Sequence, residues 1–215
     1  MTIEVHAGET VEIKVGEDAR VFEGGKAIVH NGGIATIQDG GWAEVLDGGG
    51  VEILKGGTAL VNGGGKAIVS DGGYAEVRGG GKAEIQHGGE AVVHNGGKAD
   101  IYNGGKVDVK GGGQANIFNG GKAEVLTGGI AIILTGGIAD VYVGGKVDVH
   151  SGATATVHPG GTADVYNDGE VVVLAGGYAD VHRDGKATVH PSGRITGKGE
   201  ITYLPLPTEG LALTT

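Results

Sequence analysis

The chain has 215 residues, a formal net charge of -10, 49 glycines and no cysteine. The acidity opposes nucleic-acid binding, and the missing thiols exclude disulfides and every site built on a thiolate. The longest apolar run, Ile130–Leu134, is too short to cross a bilayer, and Met1–Ala7 carries Glu4 with no apolar stretch, so no secretory signal is expected.

After the strand-like lead-in Met1–Ala7, an eight-residue beat begins at Gly8 and runs to Gly199 in 24 consecutive octads without an insertion. Numbering each octad from its glycine pair, position 1 is Gly in 21 of 24, position 2 is Gly in 21, position 4 is Ala in 18, and position 6 is Val or Ile in 23. Positions 4 and 6 are separated by a variable, mostly polar residue such as Glu124 or Asp140. That alternation is the signature of a strand with one buried face. The glycine pair supplies a bend, because glycine adopts positive φ without steric cost. Each octad is one short strand and one corner, and strands at fixed period stack into a β-solenoid.

The first two octads replace the second glycine with Glu9 and Glu17, so residues 1–23 read as a lead-in and cap. Residues 24–199 form the solenoid. Toward its end Ala153, Asp168 and Asp184 replace glycines, and Pro159 and Pro191 stand at position 8, beside the bend. Residues 200–215, with Ile201, Tyr203, Leu204, Leu206, Leu211 and Leu213 around Pro205 and Pro207, read as a C-terminal cap or a docking segment.

The number of octads per turn is less directly encoded. A two-residue corner turns a chain by about 120° more easily than it reverses it, and identities at positions 3, 5, 7 and 8 number nine at a lag of 24 against seven at 16. Both favour an all-β, three-sided coil of about eight turns. Core volume points the other way, since Ala and Val fill a triangle thinly. A two-sided coil of twelve turns is therefore the alternative, and three chains intertwined about one axis is a third.

Chemistry-bearing residues follow the beat. Six histidines (His30, His94, His150, His158, His182, His190) occupy position 7, outside by strand parity. In the three-sided coil His158 and His182 would stack, which leaves zinc short of ligands. Glu52, Glu76, Asp100, Glu124 and Asp148 would form one acidic column, with Lys98, Lys122 and Lys146 placed to neutralise it. Calcium requires more oxygens at short range. No metal, cofactor or catalytic residue is expected, and no enzyme. The anomaly is position 7, which holds ten large apolar side chains. In the three-sided coil Phe22, Trp42, Phe118, Tyr142 and Tyr166 share one face. With Tyr203, Leu204 and Leu206 they make the candidate contact surface.

Strings such as VHNGGIATIQDGGWAEVLDGG and VYNGGKVDV, within Gly24–Ala187, resemble the glycine-pair repeats of AIDA-type autotransporter adhesin passengers. That resemblance implies a secreted β-solenoid active in surface adhesion and self-association. The strict eight-residue beat departs from the family's less even spacing, and its signal peptide and membrane barrel have no counterpart in these 215 residues. Octad repeats are also similar to those of phage tail and baseplate spikes, in which three chains wind into a rigid prism. The expected function is accordingly a non-enzymatic rod or spike in a virion tail or fibre. The alternative is a surface adhesion module that binds glycan or matrix through its aromatic face. A homo-oligomer, with a trimer first, or contact with other virion proteins is the expected partnership. The expected location is a virion or an extracellular surface.

Overall fold

In the computed structural model, which describes residues 2–205, the chain forms 26 four-residue strands and no helix among the described residues. The strands divide into two parallel sheets of 13. Sheet A takes the odd strands, from β1 (Thr2–Val5) to β25 (Arg194–Gly197), and sheet B the even ones, from β2 (Thr10–Ile13) to β26 (Glu200–Tyr203). Each strand pairs in register with the strand two octads on, so Lys82 lies beside Lys98 and Glu84 beside Asp100. The coil is therefore two-sided, with 16 residues per turn and 13 rungs, and the expected three-sided coil of about eight turns is wrong.

The reason lies in the corner. Positions 3 to 6 form the strand, and positions 7, 8, 1 and 2 form the corner. The position-2 amide donates to the position-7 carbonyl, as from Gly121 N to Phe118 O at 2.8 Å, which closes a β-turn. Position 1 is its third residue and adopts the left-handed region, φ +73° at Gly120. Such four-residue turns reverse a chain. A corner of two residues would not, but the strand yields positions 7 and 8 to it. Pro159 and Pro191 occupy the second place of the turn, where φ is negative and proline is favoured. At Asn95–Gly96 both central residues have positive φ, 49° and 84°, the pattern of the tight hairpin turn.

The second glycine of each pair serves a different purpose. It is buried, and a Cβ built on Gly121 would stand 2.7 Å from the carbonyl oxygen of Ile101 in the rung below. Glu9 and Glu17 hold this place in the opening octads, where no rung lies below to be struck. Their carboxylates accept the amides of His6 (2.7 Å) and Lys14 (2.8 Å). Those amides correspond to ones that elsewhere donate to the preceding rung, as Phe22 N does to Val5 O at 2.9 Å. Each carboxylate thus replaces a missing main-chain acceptor.

Between the sheets lie the position-4 and position-6 side chains, nearly all Ala, Val and Ile. Position 6 is fully buried from Val5 to Val189, and among the described residues no polar or charged residue is buried. Two layers of small aliphatic side chains fill a flattened coil, whereas a triangle would leave its axis empty. At the C-terminal end the burial fades. Gly197 replaces the apolar position-6 residue, and β25 and β26 expose most of their residues.

Candidate functional site

The two-sided coil redistributes the aromatic side chains. Phe22, Phe118 and Tyr166 follow sheet A along one edge of the coil; Tyr142 follows sheet B along the opposite edge, and Trp42 stands on the outer face of sheet B. The single shared face expected for these five does not form. Tyr203 and Leu204, 63% and 40% exposed, sit in and after the last described strand. Leu206 lies outside the described residues, as do Leu211 and Leu213.

Position 7 is not an open surface. Every ring there with a ring in the adjacent rung stacks on it: His6 on Phe22 at 5.1 Å, Tyr102 on Phe118 at 5.0 Å, Tyr142 on His158 at 4.4 Å, and Tyr166 between His150 (5.4 Å) and His182 (4.3 Å). The rings run nearly parallel, so each covers one face of its neighbour, and Tyr166 has a ring against both faces. Of the ten large apolar side chains at this position only Tyr102 is exposed, and the rest are half-buried. Burial raises the phenol pKa of Tyr102, Tyr142 and Tyr166 above the ordinary value, and nearby carboxylates add to it: Asp100 and Glu84 for the first, Glu124 and Asp140 for the second, Asp164 and Asp148 for the third.

Five of the six position-7 histidines find carboxylates or rings rather than one another, and the sixth, His190, accepts the Ser192 amide at Nδ1 (3.2 Å). His158 Nε2 is 3.3 Å from Asp140 Oδ1, and His94 Nε2 is 2.9 Å from Glu76 Oε1, which also faces Arg78 at 3.6 Å. His182 stacks on Tyr166 instead of on His158. The acidic column divides likewise, with Glu52, Asp100 and Asp148 on sheet A and Glu76 and Glu124 on sheet B. Lys146 does not serve Asp148, its neighbour two residues on. It reaches diagonally to the next rung, where its ammonium lies 3.1 Å from Asp164 Oδ2. That hydrogen bond and charge hold the Lys146 pKa above its usual value.

One cluster was not foreseen. Asp164, Asp180 and His182 bring ligand-type atoms within 4.8 Å of one another. The 16-residue turn sets Asp164 beside Asp180 in adjacent rungs, and a 24-residue turn would separate them. Lys146 already engages Asp164, and the Thr196 hydroxyl donates to Asp180 Oδ1 at 3.0 Å. The cluster is therefore partly neutralised by the chain itself.

The outer faces carry positions 3 and 5. On sheet A a groove of about 940 Å³ follows the central rungs between the two columns. Ile34, Ile68, Ile130 and Ile132 line it and are 57%, 41%, 48% and 37% exposed. An opening on sheet B, about 290 Å³, lies toward the C-terminal end. No histidine lines either groove.

No family model matches the chain, and no curated protein does either. Among solved structures it is similar to the TibC-catalysed hyper-glycosylated TibA55-350 fragment, at 27% identity over 94% of this chain and 93% of that one, with a TM-score of 0.49. The chain is assigned to no family. No helix among the described residues is long and apolar enough to cross a membrane.

Proposed function

We propose that the protein is a non-enzymatic structural rod, which sets a fixed distance and displays its side-chain columns on a virion or cell surface. The carrying observation is the unbroken main-chain ladder. Strands pair along both faces, and the corners pair as well, with Gly120 N donating to Gly136 O at 2.9 Å and Leu126 N to Val109 O at 2.8 Å. Because no loop is inserted among the rungs, bending the coil means breaking ladder bonds on one side. Thirteen rungs at a spacing of about 4.8 Å make a body roughly 58 Å long. The position-7 aromatics support glycan binding less well, because sugars stack on ring faces and each of these rings has at least one face against a neighbouring ring.

A rod tolerates loss of whole turns. Deleting residues 96–111 removes one 16-residue turn and should leave a folded protein shorter by about 4.8 Å. Scattering and circular dichroism read length and fold, and biological activity should grade with length. Activity abolished by this deletion, in a protein that still folds, would place the function at a local site and overturn the rod.

A further inference from the structure

The outer face of sheet A is written as the complement of itself. Within its rungs, position 3 and position 5 carry Asp18 and Arg20, Lys82 and Glu84, Lys98 and Asp100, Gln114 and Asn116, and Ile130 and Ile132. A two-fold rotation about an axis parallel to the rod and lying against this face sets position 3 of one copy over position 5 of the other in the same rung. Lys82 then meets Glu84 of the second copy, Lys98 meets Asp100, the amide of Gln114 meets that of Asn116, and Ile130 meets Ile132. None of the thirteen rungs sets like charges together. We propose that this face is a homotypic interface, through which two rods pair side by side, parallel and in register.

Several observations converge on a second copy as the occupant. Lys66, Lys82 and Lys98 are exposed and stacked in consecutive rungs, yet among the described residues none is in ion-pair contact with a carboxylate. Like charges in adjacent strands repel, and in the pair Glu84 and Asp100 of the second copy lie against Lys82 and Lys98, while Lys66 lies over Ile68. Four of the five exposed isoleucines lie along the same groove, the fifth, Ile138, being on sheet B. The face is also large enough. Thirteen rungs at about 4.8 Å by four residues at about 3.3 Å give roughly 760 Å² per copy, close to the ~800 Å² per partner of a stable interface.

The alternatives fit less well. Turning one rod end for end with full overlap sets Lys98 against Lys98, Asp100 against Asp100 and Glu52 against Asp148, and like-charge contacts select against a wrong arrangement. The same parallel pairing on sheet B lays Glu44 on Trp42, Asp140 on Ile138 and Glu170 on Val172. That would strip water from carboxylates against apolar side chains. Sheet A opposes opposite charges in four rungs (Asp18 with Arg20, Lys82 with Glu84, Lys98 with Asp100, Lys146 with Asp148) and sets a charge on an apolar or aromatic side chain in two (Lys66 on Ile68, Asp180 on Tyr178). Sheet B does the first in two rungs and the second in six.

Complementation tests the pairing. A basic variant (Glu84→Lys with Asp100→Lys) and an acidic variant (Lys82→Glu with Lys98→Glu) each oppose like charges in two rungs. Each should sediment as a 21.3 kDa monomer where the native chain is a dimer, with dimer dissociation constants raised more than about tenfold. Mixed in equal amounts they should form a dimer again, which also shows that both have folded. For orientation, a spin label at Thr36→Cys in the otherwise cysteine-free chain should find its counterpart across the face, within about 20 Å. An end-for-end pair would separate the labels by roughly 40 Å, eight rungs. A native monomer at tens of micromolar, a trimer, a basic variant that stays dimeric, or the 40 Å separation would each overturn the proposal. None of these would touch the rod reading, which rests on length and ladder.

Discussion

Glycine to alanine at two places in the coil should act with opposite signs. At Gly121 the added Cβ would stand 2.7 Å from Ile101 O and 3.0 Å from Phe118 O, both main-chain atoms that can withdraw only by moving the ladder. Overpacking of this kind costs about 1–3 kcal/mol. Ala153 bounds the effect: it occupies the same position fully buried and keeps its turn hydrogen bond to His150 O at 2.9 Å, so the coil strains but survives. For a chain of this length each kcal/mol shifts the melting temperature by roughly 2–4 °C. Gly121→Ala should therefore lower it by roughly 2–12 °C. At Gly50, on the outer face of sheet A, nothing lies within 4 Å of an added Cβ and the backbone is not left-handed. Gly50→Ala should raise stability by about 0.5–1 kcal/mol through the unfolded chain's lost freedom. Thermal melting by circular dichroism on the pair decides it. Equal shifts, or a Gly121 variant as stable as the native chain, would refute the close approach of position 2 to the rung below.

Val125→Asp buries a charge among aliphatic side chains and should cost several kcal/mol, whereas Glu124→Lys, one residue away and exposed, should cost under about 1 kcal/mol; comparable melting shifts would contradict the strand parity. The raised pKa values of Tyr142 and Tyr166 predict alkaline sensitivity. A group whose folded pKa lies above its unfolded value lends stability below the unfolded value, about pH 10, and that contribution is lost as pH rises through the folded value. Lys146 acts in the same direction. Melting temperature should fall above about pH 10, and fall less in Tyr142→Phe with Tyr166→Phe; an identical slope in the double variant would refute the assignment. Chelators should leave the melting temperature unchanged, because Lys146 and Thr196 already engage Asp164 and Asp180. A drop on chelation that calcium reverses would mean that the cluster binds metal.

Much of the fold was legible because one rule generates it. The alternation at positions 4 and 6 fixed which side chains are inside, and the glycine pair marked every corner. The turn length was missed for two physical reasons. The corner was counted as two residues, although positions 7 and 8 join it to make a reversing β-turn. The lag was counted at positions 3, 5, 7 and 8, which face solvent, while the core carried the stronger signal. From Ile37 onward the position-6 isoleucines are Ile53, Ile85, Ile101, Ile117 and Ile133, each a multiple of 16 from the last, and all fall on sheet A opposite valines of sheet B. The wrong turn length then carried into the site. It grouped Trp42 and Tyr142 with Phe118, and it hid both the cluster around Asp180 and the within-rung pairing on sheet A. Position 7 was read as open because parity in a lone strand says nothing of the ring stacked above it.

Everything above depends on 16 residues per turn. Two doubly spin-labelled proteins, diluted in unlabelled protein, test it directly: Lys82→Cys with Lys98→Cys, and Lys82→Cys with Lys106→Cys. In the two-sided coil the first pair occupies adjacent strands of sheet A, about 4.8 Å apart at the backbone, and should show strong dipolar broadening. The second pair lies on opposite sheets, more than about 10 Å apart, and should show little. Strong broadening in the second pair and weak broadening in the first would require a 24-residue turn and contradict the account.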